Sequence, residues 1–132
     1  MRRRAVPIVL AVAALAGCGG DDARPAAPAP ADRTRLSVEV TGAGPEPVRF
    51  ELRCGATQPC RPAQVDRLAA IAEPPDPGRA CTLQYGGPER AHVTGTLQGR
   101  PVDVTVARSD GCGIADYEAL FAALGREPPL AG

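Results

Sequence analysis

The residues able to do chemistry in this chain are few: five cysteines, one histidine, and a run, Arg79–Gly87 (RACTLQYGG), with a single apolar side chain on offer between two fixed points. Cysteine can serve as nucleophile, metal ligand or half of a disulfide, and the compartment decides which. Cys54 and Cys60 stand at C-x5-C with no second cysteine pair or histidine at finger-like spacing, so no metal is expected. His92 falls on the polar side of an alternating segment, and Ser37 and Ser109 belong to no nucleophile motif such as G-x-S-x-G. The adjacent carboxylates Asp21-Asp22 sit in a linker, and no glycine-rich phosphate cradle joins a strand to a helix. The chain therefore reads as a non-enzyme that needs no cofactor.

The run around Cys81 offers binding chemistry instead. Cys81 is fixed to a partner, and Gly86-Gly87-Pro88 forces a change of direction. Tyr85 is expected to anchor the far side by packing against the loop base, leaving Thr82, Leu83 and Gln84 extended between the anchors. An extended segment pinned at both ends suits a protease-binding loop, and it also describes an ordinary strand-to-turn connection. The elements around it must decide.

Residues 1–17 read as a targeting segment. Three arginines precede an apolar run from Ala5 to Ala16, too short to span a membrane but suited to a signal peptide. Leu15-Ala16-Gly17-Cys18 has the pattern of a bacterial lipobox, which implies cleavage before Cys18 and lipidation of its thiol. Two or three acyl chains hold a protein on a membrane where one does not. The expected location is extracytoplasmic, tethered to the cell membrane, with plain secretion as the alternative. Residues 18–33 are the lipidated cysteine and a linker rich in Pro and Ala, long enough to lift a domain roughly 40 Å at about 3.1 Å per residue. Without the leader, twelve arginines oppose fifteen acids, and aromatic residues are scarce. A nucleic-acid partner is not expected from that balance.

Residues 34–125 carry the folding pattern, with a frayed tail expected over 126–132. Arg35–Gly42 alternates with Leu36, Val38 and Val40 on one face, and Val48–Cys54 with Val48, Phe50, Leu52 and Cys54, giving an antiparallel hairpin. Pro62 suits the first turn of a helix whose apolar stripe holds Val65, Leu68 and Ala69, and Glu73–Gly78 ends it. Arg90–Leu97 and Pro101–Arg108 form a second hairpin about Gln98-Gly99-Arg100. Ile114, Tyr117, Leu120, Phe121 and Leu124 give a second helical stripe ending at Gly125. With the Cys81–Tyr85 segment counted as a strand, the expectation is α+β: an antiparallel five-stranded sheet with two helices packed on one face.

With Cys18 set aside, four cysteines remain in an exported chain, and three connectivities are open. The favoured one joins Cys54 to Cys60, closing a short loop, and Cys81 to Cys112, closing a long loop around the second hairpin.

These residues carry a resemblance. Cys81-Thr82-Leu83-Gln84-Tyr85, then Val93, Gly95, Gly99, Arg100 and Val102 as V-x-G-x-x-x-G-R-x-V, then Cys112, resemble the bacterial subtilisin-inhibitor-like family. Leu52-x-Cys54 and the helix after Pro62 fit the same pattern, so the resemblance runs from about Arg35 to Leu124. It departs where Cys60 precedes the first helix instead of lying in it, where Glu73–Ala80 is short and proline-rich, and where Gly86-Gly87-Pro88 follows Tyr85. The resemblance implies a substrate-like inhibitor of extracellular serine proteases, often dimeric, which makes a homodimer one expected assembly. By position, the reactive bond is Leu83–Gln84, with Cys81, Thr82 and Tyr85 as neighbouring contacts. A leucine at that place points to subtilisin-like or chymotrypsin-like enzymes. The alternative reading is a non-inhibitory interaction module on the same scaffold.

Overall fold

The computed structural model describes residues 33–132; the leader, Cys18 and nearly all of the linker lie outside the described residues. Strands β1 (Thr34–Thr41) and β2 (Val48–Cys54) form the first hairpin, followed by helix α1 (Pro62–Ala72). The second hairpin, β3 (Arg90–Leu97) and β4 (Arg100–Ala107), leads into α2 (Gly111–Leu124). All pairings are antiparallel, and the sheet order is β2-β1-β3-β4.

The alternation in the sequence produces one apolar face. Leu36, Val38 and Val40 of β1, Ala91, Val93 and Leu97 of β3, and Val106 of β4 point inward and are buried. Both helices lie on that face. Val65 and Leu68 of α1 and Tyr117, Leu120 and Phe121 of α2 complete a single core. Phe121 meets Phe50 edge-on at 5.4 Å and Tyr117 at 4.9 Å between ring centres. Among the described residues the core lies within residues 34–124, so residues 33–132 carry a core of their own. Among the described residues no helix is long and apolar enough to cross a membrane.

The ends of the elements follow local chemistry. Pro62 occupies the first turn of α1, where its missing N–H costs no bond, and Glu73-Pro74-Pro75 stops the helix. Asp110 caps α2 by accepting a hydrogen bond from the Gly113 N–H at 2.8 Å. Gly125 ends α2 in the left-handed conformation, φ 65°. Gln64 Nε2 donates to the Ala123 carbonyl at 2.7 Å, tying the start of α1 to the end of α2. Gly95 sits where the sheet is tightest. At φ 128°, a Cβ there would meet the Arg35 carbonyl oxygen of β1, so only glycine fits.

Two expectations change. The sheet has four strands, because Cys81–Tyr85 is extended but pairs with no strand along its length. Among the described residues its backbone is tied only at the ends, by bonds to the start of α2 and the residue after β4. The tail is not frayed: Tyr117 Oη donates to the Pro129 carbonyl at 2.7 Å, and the Ala131 N–H donates to Glu89 Oε1 at 2.6 Å.

Candidate functional site

Three side chains in a row, Leu83, Gln84 and Tyr85, project from the end of the sheet where β3 begins and β4 ends. Leu83 is 99% exposed and Tyr85 67%. An apolar side chain so fully in water adds nothing to the core, and with Tyr85 two residues on it makes a pair of exposed large side chains on one segment. Tyr85 does not pack against the loop base as the sequence suggested. Residues two apart on an extended chain share a side, so turning Leu83 outward turns Tyr85 outward with it.

The upstream end is moored to α2. Cys81 is bridged to Cys112, with Cα atoms 5.3 Å apart, and the Thr82 carbonyl accepts a hydrogen bond from the Gly111 N–H at 3.0 Å. The contact is close enough that a Cβ on Gly111 would collide with Thr82 Oγ1. Before the bridge, Arg79 forms a two-pronged ion pair with Asp116 of α2 at 2.8 and 3.1 Å. That pair is largely solvated, so its contribution to stability is small. The other disulfide, Cys54–Cys60, closes its short loop at the opposite end of the sheet, with Cα atoms 5.2 Å apart. Both bridges follow the favoured connectivity.

The downstream end is moored to β4 and the tail. The Gly86 N–H donates to the Arg108 carbonyl at 2.8 Å, and Gly86 lies against Ile114 with no room for a side chain. Gly87 passes over an ion pair between Glu89 and Arg108 at 3.0 Å, whose side chains are only 2% and 14% exposed. The Arg108 guanidinium also lies 5.7 Å from the centre of the Tyr117 ring. Burial alone would raise the Glu89 pKa, but hydrogen bonds from the Ala131 N–H, from its own N–H and from Arg108 outweigh it and hold the carboxyl below its ordinary value. Burial, reinforced by Glu89 and opposed by Arg108, pushes the Tyr117 hydroxyl up to about 12.

Glu89 and Arg108 were not singled out in the sequence, although the signal was there. Extending the inward phase of β3 back from Ala91 reaches Glu89, and extending that of β4 on from Val106 reaches Arg108. The register that pairs Arg90 with Ala107 then sets the two opposite charges side by side.

The remaining polar candidates are not brought together with the loop. His92 lies on the open face of the sheet, with Nε2 2.8 Å from Asp103 Oδ1, and both side chains are well exposed. No hydroxyl is hydrogen-bonded to it among the described residues. Cys81, Cys112 and Asp110 lie close together, yet the two sulfurs are bonded to each other and Asp110 caps α2. A disulfide presents no thiolate to a metal. No protein-family model matches the chain, and no curated protein or solved structure matches it.

Proposed function

We propose that the chain is a membrane-tethered, extracytoplasmic inhibitor of subtilisin-like or chymotrypsin-like serine proteases, of the subtilisin-inhibitor-like kind, with Leu83–Gln84 as its reactive bond. The observation that carries this reading is a fully exposed leucine on an extended segment fixed at both ends. A loop already in its bound form binds without the entropy cost of ordering, about 1–2 kcal/mol for each backbone residue fixed. Leu83 then fills the enzyme's apolar specificity pocket, a burial of about 1.5–3 kcal/mol. Tyr85, on the same side of the chain, reaches the enzyme beyond the bond.

The same anchors account for resistance to cleavage. When the enzyme's serine attacks the Leu83 carbonyl, the new acyl group stays joined through Thr82 and Cys81 to α2. The released Gln84 amine stays beside it, because Gly86 is bonded to Arg108. The amine reattacks before water replaces it, so the bond reforms. Lipidation of Cys18 would place this loop at the cell surface, guarding envelope proteins.

The test is a titration of subtilisin with residues 33–132. Stoichiometric loss of activity, with at most slow hydrolysis at Leu83–Gln84, is expected, and Leu83→Asp should abolish it while the domain stays folded. Rapid digestion without inhibition would instead make the domain a non-inhibitory interaction module. Unchanged inhibition by Leu83→Asp would place the reactive bond elsewhere.

A further inference from the structure

We propose that the end of the sheet remote from the loop docks on anionic phospholipid headgroups. Antiparallel pairing brings the start of β1, the end of β2, the end of β3 and the start of β4 to one end of the domain. Six arginines collect there: Arg33, Arg35, Arg53, Arg61, Arg100 and Arg126, all exposed. Arg33, Arg35 and Arg53 line one concavity, and Arg53, Arg61 and Arg126 line the next, with Glu51 the one acid among the linings of the two.

Pairing differs between the two ends. Toward the loop, Arg49, Arg79 and Arg108 each have a carboxylate partner, Glu39, Asp116 and Glu89, and Arg90 has none among the described residues. At the remote end only Arg53 has one, Glu51, among the described residues. Arg35 and Arg53 even stand directly opposite each other in the β1–β2 register, an arrangement of like charges that weakens a sheet. Unpaired guanidinium groups gathered on one end suit phosphate oxygens, which they bind in two-pronged fashion.

The membrane is the source of phosphate that the chain's course favours. The chain enters the domain at Arg33, inside the arginine cluster, so a lipid on Cys18 would draw this end toward the bilayer. An eight-residue strand spans roughly 25 Å. Docked this way, the domain would hold Leu83 away from the surface and facing the medium. The choice of membrane rests on the lipidation reading, whereas the binding itself is independent of protease inhibition.

The experiment is flotation of residues 33–132, which carry no lipid, with vesicles of phosphatidylglycerol and phosphatidylcholine in a 3:7 ratio, and with phosphatidylcholine alone, about tenfold stronger binding to the anionic vesicles being expected at low salt. Binding should fall steeply as salt rises. Arg35→Glu/Arg100→Glu should abolish it and leave subtilisin titration unchanged. The charge-matched control Arg67→Glu/Arg90→Glu, outside the cluster, should retain it. Equal binding to both vesicles, no binding to either, or equal loss in both double variants would overturn the proposal. Displacement by inorganic phosphate at constant ionic strength would do so too, by identifying a discrete phosphate site in place of a membrane surface.

Discussion

Removing each disulfide separately should divide stability from inhibition. In the chain-entropy view a bridge stabilises by shortening the list of unfolded conformations, and the effect grows with the loop it closes. Cys81–Cys112 spans 31 residues, for which that relation gives about 3.7 kcal/mol. Cys54–Cys60 spans 6 residues and gives about 2 kcal/mol. Cys81→Ala/Cys112→Ala should therefore lose more in urea denaturation yet stay folded if the domain begins near the upper part of the usual range, about 5–15 kcal/mol. Its effect on binding should be disproportionate. With the bridge gone, the upstream loop keeps only the bond from Gly111 to Thr82 and the solvated Arg79–Asp116 pair, and the enzyme must order residues that were already ordered. Two or three such residues at about 1–2 kcal/mol each correspond to at least roughly thirtyfold weaker inhibition. Mass spectrometry should show the variant cut at Leu83–Gln84 and turned over as a substrate. Cys54→Ala/Cys60→Ala, at the far end, should be destabilised but inhibit as the parent does. If the first variant remains a tight, uncleaved inhibitor, or if both variants lose inhibition alike, the Cys81–Cys112 bridge is not what holds the loop.

Other outcomes follow from the same geometry. Leu83→Lys should move inhibition from subtilisin-like or chymotrypsin-like enzymes to trypsin-like ones, measured by parallel titrations, because the exposed side chain at that place selects the pocket. Glu89→Gln should cost about 3 kcal/mol in urea denaturation, since it leaves Arg108 nearly buried without its counter-charge. Because the folded Glu89 pKa lies below its unfolded value of 4.5, its contribution is complete above that pH and is lost as pH falls through the folded value. Thermal melts of the parent should accordingly drop more steeply below about pH 4.5 than those of Glu89→Gln. Tyr117 acts at the other extreme. Its folded value of about 12 exceeds the ordinary 10, so the unfolded chain loses the proton first and stability declines across that interval. The decline attributable to this hydroxyl is roughly 3 kcal/mol and should be missing from melts of Tyr117→Phe.

The fold was legible wherever one face of an element meets the core. Strict alternation in Leu36–Val40 and in Ala91–Leu97 announced strands with one wet face, and the stripe through Tyr117, Leu120 and Phe121 announced a helix on the dry one. Gly125 and Pro62 marked helix ends for backbone reasons that hold anywhere. Legibility failed where extended chain is held by something other than a sheet. Thr82–Tyr85 has the composition of a strand, and it is extended, but a strand is defined by its neighbour and this segment has none. The period of two along extended chain puts Tyr85 on the side of Leu83, outward, and not against the loop base.

The tail was misread for a related reason: Pro129 and Ala131 are held by backbone atoms, whose bonding leaves no trace in side-chain pattern. Those two bonds reach Tyr117 and Glu89, and through the Glu89–Arg108 pair they reach the loop's downstream anchor at Gly86. The loop thus owes its shape to groups just before β3, just after β4, on α2 and at the chain end converging beneath it. A segment without a sheet of its own can be kept extended in this way, with its middle left free for a partner. A fifth strand would have tied up the backbone groups that such a partner must meet.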